Sequence, residues 1–357
     1  MNRYFYYLVI LCMLINTIVY VPRVLIEARY HGAITAIIIA IPLGSLLAFL
    51  FYRGMRSFPG LGIPEIFKQY LPAYLRFPIL VFLGIMWFAA GSIVVVAFSH
   101  ITLRFLNPNA SLTNMVLCFV LVGCWTATFS SSAILFGLEI ILLIALPIQG
   151  FIIYKAFQNE AFDWNAVLAM SEYVLVIPSW DTLSAATYLF TGYISILQFN
   201  RLFEWKKRLH YFWIIPIAGI SISFNTFFIP IGILGTLAVD DYLDIWVNTS
   251  DSLRMQYGLI ERVVFLYLFL YIGLSLIFIT TCWHVGTELV KSVFPKQPKF
   301  LKWVIVGTVG AGTLLYSHFF NEKQLYHYAQ QWFNLRFAVE LLLVTIVFIL
   351  GRRKKHA

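Results

Sequence analysis

Charged and nucleophilic side chains are scarce in this chain, so their types and spacing bound its chemistry. Glu139 lies eight residues into an apolar stretch. A carboxylate there is a candidate ion or proton site, with a buried ion pair or a tilt toward water as the alternative readings. Arg336 and Glu340 stand four apart in another apolar stretch and predict a local ion pair. His100 and Arg104 share a helical face at the same spacing, and His100 reads as a structural hydrogen-bonding group or a proton relay. Asp181 opens a stretch, where the helix dipole favours a negative charge. The sequence contains no HExxH, no glycine-rich phosphate loop and no nucleophile–base pair at a recognisable spacing. An acyl transfer through His100 would lack a second catalytic group, so no enzyme is expected. The four cysteines (Cys12, Cys118, Cys124, Cys282) have no histidine at ligand spacing and read as small buried hydrophobes. Neither a metal nor a cofactor is expected.

The elements that must position these groups are apolar segments close to 20 residues long. Hydrophobic residues make up 61% of the 357 and charged ones 11%, with a mean hydropathy of +0.84. A soluble domain carries roughly a quarter charged residues, and a bilayer-spanning helix needs roughly 20 apolar ones. The composition therefore predicts an all-α integral membrane protein. Ten spans are read at 5–26, 33–52, 77–105, 112–130, 132–154, 182–203, 209–235, 258–286, 301–320 and 334–351. The N-terminal Met1-Asn2-Arg3 is short for a signal peptide and no cleavage site follows the first span, so that span is expected to be retained.

The net charge of +9 is not a nucleic-acid footprint, because the bases alternate with the spans. Seventeen of the 25 Lys and Arg fall on one side: Arg3; Arg53 to Arg76; Arg201 to Arg208; Lys291 to Lys302; and Arg352 to Lys355. This positive-inside pattern predicts cytoplasmic termini and an even number of spans. Trp164, Trp205, Trp246, Trp303 and Trp332 lie near span ends, as an interfacial belt would. Gly84, Gly91 and Ser92, and Gly307 with Gly310-Ala311-Gly312, read as close helix-packing positions.

The spans divide five plus five, into 1–157 and 178–351. The second connection is long in each half: 53–76 is basic, 236–257 acidic, and each precedes the longest span read in its half. An odd number of spans per half inverts the second half, so the pattern predicts an inverted-topology repeat. No residue-level repeat accompanies it. In such folds the first helix of each half is often broken at the midplane. Pro22 in the first span and Thr191-Gly192 in the sixth are the candidate break points, with an ordinary kink or helix end as the other reading of Pro22. The ligand is then expected between Asn16, Thr17 and Tyr20 on one side and Thr191, Gly192 and Tyr193 on the other.

These motifs, in order, resemble the B subunit of spore germination receptors. That is the spore permease family of the amino acid–polyamine–organocation transporter superfamily. Val21-Pro22-Arg23-Val24-Leu25 with Glu27-Ala28 is similar to its first helix, and Phe58-Pro59-Gly60 with Pro64-Glu65-Ile66 to the segment before its third. Gly137-Leu138-Glu139, Gly192 and Ile260-Glu261-Arg262 resemble its fifth, sixth and eighth helices. The resemblance covers essentially the whole chain. It implies a LeuT-like ten-helix core with helices 1 and 6 broken, in the spore inner membrane. It also implies an A-type membrane subunit and a C-type lipoprotein as partners, and a small nutrient germinant as ligand. A stand-alone secondary transporter of amino acids or related solutes is the alternative. Two positions depart from the family. Ile15-Asn16-Thr17-Ile18 replaces an early glycine, and Tyr193 stands where a glutamate is frequent. A phenol is uncharged near neutral pH. Unless Glu139 or Glu27 supplies the charge, this predicts either a neutral ligand, such as a sugar or nucleoside, or an amino acid whose ammonium is held by carbonyls.

Overall fold

A computed structural model of the chain describes residues 2–203, 205, 211–254, 261–298 and 300–356, with side chains to 354. Lys206, Lys207, Arg208, Ile260, Lys299 and the side chain of Lys355, used in the sequence reading, lie outside the described residues.

The first span is two helices, α1 (Arg3–Ile15) and α2 (Tyr20–Glu27), bent by 59°. Next come α3 (Ala33–Met55), a short α4 (Ile63–Tyr70), α5 (Ala73–Phe105), α6 (Leu112–Ala127) and α7 (Ser131–Phe157). The joint holds α8 (Trp164–Ala169) and a 3-10 turn (Met170–Tyr173). The sixth span is again interrupted. It comprises α9 (Trp180–Tyr188), a 3-10 segment (Thr191–Ser195) and α10 (Ile196–Phe199). There follow α11 (Ile214–Leu234), a connection carrying α12 (Ile245–Asp251), α13 (Val263–Lys291), α14 (Leu301–Phe319) and α15 (Glu322–His356). Among the described residues six helices are long and apolar enough to cross a membrane alone, and the bent α1–α2 pair makes a seventh. With α6, α14 and the interrupted α9–α10 path the total is ten, the number read from the sequence.

Local chemistry explains the ends. Ser111, Ser130 and Ser179 cap α6, α7 and α9, each accepting a bond from a backbone N–H in the first turn. Both long second connections carry a short helix, α4 in the first half and α12 in the second, as the two halves of one inverted plan should.

In lipid, helices associate by close packing and not by a hydrophobic gain. The central pair is α5 and α13, and its small residues allow the approach. A Cβ on Gly84 would lie 2.6 Å from Val290, and one on Gly91 2.5 Å from Trp283. On α14 only Gly310 is packed in this way, 2.8 Å from Val120. Gly307 and Gly312 face open space, so they are not the packing positions expected. Outward surfaces are hydrocarbon, as at Leu143 (75% exposed) and Phe269 (69%), because their solvent is the acyl chain.

Other expectations are corrected. The helix-1 break falls at Asn16–Val19, not at Pro22. Pro22 is the third residue of α2, where a helix has no partner for an N–H, so its missing donor costs little. At 35 residues α15 exceeds the 29 of α13, because polar turns extend it past the apolar core at both ends. Trp205 and Trp246 are buried in protein, not interfacial, while Trp164 and Trp303 are exposed. Cys118 is exposed on the outward surface of α6, unlike the buried Cys12 and Cys282.

Candidate functional site

The break in helix 1 is written by two side chains that compete with the backbone. Asn16 Nδ2 donates to the Cys12 carbonyl at 2.8 Å, and the Thr17 hydroxyl donates to the Leu14 carbonyl at 2.7 Å. Such local bonds offer carbonyls an alternative to the helical ladder. Thr17 also bonds the Tyr271 hydroxyl on α13. The chain resumes as α2 at Tyr20, whose ring meets Tyr326 at 5.5 Å.

The break in helix 6 is fitted against α1. A Cβ on Gly192 would lie 2.1 Å from the Leu8 carbonyl oxygen, so only glycine allows this approach. The Cys12 thiol donates to the Tyr188 carbonyl at 3.2 Å. That carbonyl belongs to the last turn of α9, where the helix leaves its acceptors unpaired.

Opposite this break, α15 presents Arg336 and Glu340. They form the ion pair that the i,i+4 spacing predicts, with side chains only 6% and 1% exposed. The pair is tied to helix 6 from Ser184 to Tyr193. Arg336 Nη1 donates to Glu340 and, at 2.8 Å, to the Thr191 hydroxyl. Its Nη2 donates to the Ser184 carbonyl and, at 3.4 Å, to the Thr187 hydroxyl. Glu340 accepts from the Tyr193 hydroxyl at 2.5 Å and from Thr191 at 3.1 Å. The guanidinium also stands 4.9 Å from the centre of the Tyr188 ring. Two charges taken out of water lose more than they regain unless such bonds fill their remaining valences.

Beside the pair a cavity opens between α1, α5, the helix-6 break, α13 and α15. Its volume is ≈ 70 Å³. Its lining surface is almost wholly apolar, with Leu83, Met86, Trp87 and Phe278 on the wall, and Cys12, Tyr188, Thr191, Gly192, Arg336 and Glu340 are also among the wall residues. Thr191 and Gly192 are thus on the wall. Tyr193 is fully buried behind it, on Glu340. Asn16, Thr17 and Tyr20 shape the helix-1 break and are not among the wall residues. Glu139 is elsewhere, half-buried and paired with Arg3 and Tyr4, each at 2.8 Å. Glu27 bonds Arg23 at 2.7 Å and Tyr326 at 2.6 Å. The carboxylate beside Tyr193 is therefore neither Glu139 nor Glu27 but Glu340. Two charges in the middle of an apolar span were the signal for it, since their cost demands partners on other helices.

The two ends of the molecule are held by ion pairs. At the acidic end Arg104 bridges Asp244 before α12 and Glu322 at the start of α15. Arg23 and Arg29 reach Asp240 at 3.5 and 3.4 Å. Burial pushes the Asp244 carboxyl up to about 6, while the Arg104 charge pulls it down. At the basic end Arg201 meets Glu65 at 2.7 Å, and Lys302 meets Glu288 at 2.9 Å.

No family model and no curated protein matches the chain. Among solved structures it is similar to Mhp1, a nucleobase-cation-symport-1 family transporter, in a closed conformation with bromovinylhydantoin bound. The TM-score is 0.61 at 11% identity, over 96% of this chain and 76% of that one. At that identity the likeness speaks for the fold, and the fold is that of a multi-pass transporter of the LeuT-like, five-plus-five inverted kind.

Proposed function

We propose that this chain binds a small molecule in the cavity between its two broken helices, as the nutrient-germinant-sensing membrane subunit of a spore germination receptor. The observation that carries the ligand reading is the cavity itself. Both interrupted helices bound it, and a buried ion pair on α15 lines it. The neighbour's fold with a hydantoin bound supports a small ligand. The germinant role is supported by the ordered motifs that resemble the spore permease family. On this reading the halves are 1–157 and 178–351, and both termini are cytoplasmic in the spore inner membrane. An A-type subunit and a C-type lipoprotein are the partners. Thr191 and Gly192 meet the ligand, and Asn16, Thr17, Tyr20 and Tyr193 hold the breaks that shape the site.

The test is deletion in a spore-forming host, with germination scored on a nutrient panel. Response to one nutrient class should be lost, then restored by the wild-type chain but not by Leu83→Trp, which fills the cavity. An intact response in the deletion strain refutes the role. The transporter fold favours a second reading, a stand-alone secondary transporter of amino acids or related solutes. Saturable uptake of a labelled solute into proteoliposomes holding this chain alone would decide for it.

A further inference from the structure

We propose that the cavity selects an uncharged ligand, an apolar body carrying one hydrogen-bond acceptor such as an amide carbonyl, and rejects ammonium-bearing molecules. This rests on the reading of the cavity as a ligand site. Charge balance is the first ground. Among the described residues Arg336 and Glu340 are the only charged side chains on the wall, and they neutralise one another. A ligand with net charge would stand unpaired in a low-dielectric interior.

Hydrogen-bonding capacity is the second ground. Glu340 accepts from Tyr193, Thr191 and Arg336, and its side chain is 1% exposed. At most one of the carboxylate's roughly four lone-pair sites is left, too few for the three donors of an ammonium. The spare capacity is on the donor side. Arg336 Nε–H and Trp332 Nε1–H belong to wall residues, are buried, and have no acceptor among the described residues. A buried donor left unmade is costly, so an acceptor that meets it is favoured. The rest of the wall, from Leu83 and Met86 to Val339 and Leu343, suits hydrocarbon.

The test uses the full chain in nanodiscs and four probes that share an isobutyl-ended body. They are 4-methylpentanamide (neutral), 4-methylpentanoate (anion), leucinamide (cation) and leucine (zwitterion). Equilibrium binding and thermal unfolding are both read. The amide should bind at least about tenfold more tightly than the other three, the factor that one well-made hydrogen bond supplies. Arg336→Lys keeps the charge but lacks the Nε–H, and Trp332→Phe keeps the ring but lacks its N–H. Each should weaken the amide severalfold. Suppose instead that leucine or leucinamide binds as tightly as the amide, competes with it, and is lost in Ala90→Phe, which fills the cavity. That result overturns the selection while leaving the cavity as the ligand site. Amide binding unchanged by all three substitutions overturns the reading of the cavity itself, and absence of saturable amide binding overturns the selection.

Discussion

Breaking the Arg336–Glu340 pair from one side should destabilise the protein more than removing it whole. Glu340→Gln keeps the shape but leaves a guanidinium that is 6% exposed without its counter-charge. Orphaning one member of a buried pair costs about 3–5 kcal/mol. Glutamine can still accept one bond from Tyr193 or Thr191, which places this substitution near the lower figure, about 3 kcal/mol. Arg336→Met costs a similar amount for the opposite reason, leaving the carboxylate with only two hydroxyl donors. The double variant, Arg336→Met with Glu340→Leu, removes both charges and their desolvation. Its loss should stay below about 2 kcal/mol, since apolar replacement of a buried pair is often neutral or better. The cycle then shows a coupling of more than about 4 kcal/mol, well above the scatter of independent sites. Reversible unfolding in mixed micelles, followed by tryptophan fluorescence, measures all four corners. Additive single losses, with coupling under about 0.5 kcal/mol, would mean that water reaches the pair in the folded protein, and the reasoning would be refuted.

Other outcomes follow from the same geometry. Tyr193→Phe removes the donor 2.5 Å from Glu340 and should cost about 1.5–3 kcal/mol, the range for a bond to a charged group; an unchanged unfolding midpoint would count against that bond. Gly192→Leu places a side chain on the Leu8 carbonyl and should lower the folded, monodisperse fraction in size-exclusion chromatography, whereas normal accumulation would show that α1 and the helix-6 break are not in contact. Cysteines introduced at Asp241 and Arg352 in a cysteine-free background should react with an impermeant thiol reagent from opposite sides of the membrane; same-side labelling would remove the inverted repeat. The folded Asp244 carboxyl lies near 6, above its unfolded value near 4. The folded state therefore binds the extra proton, and this group's stability is present at low pH and lost as pH rises through 6. Asp244→Asn should flatten the stability profile between about pH 4 and 6, and an equally steep decline in the variant would exclude Asp244 as its source.

Much of the fold was legible because a bilayer reads composition directly. Each span must satisfy its own backbone and face hydrocarbon, so ten apolar segments became ten crossings with little freedom. The interruption of helix 6 at Thr191-Gly192 was also readable, since folds of this kind break the first helix of each half near its middle and this pair stands there. The break in helix 1 was read from Pro22, the obvious residue, whereas Asn16 and Thr17 make it through bonds to carbonyls one turn back. A proline in the first turn of a helix and one at a break look alike until the start of α2 is known.

The wall of the site was the part least visible. The spacing of Arg336 and Glu340 gave their pairing, but not that α15 turns them toward the helix-6 break, 145 or more residues away in sequence. Sequence also suggested that Tyr193 had replaced a carboxylate, yet tertiary packing brings Glu340 to its hydroxyl. By itself the sequence determined the membrane class, the number of crossings and the alternation of charge, because lipid and water act on each segment separately. Only the tertiary structure decided which polar groups meet, because burying a charge is a cost settled between helices and carries no local periodicity.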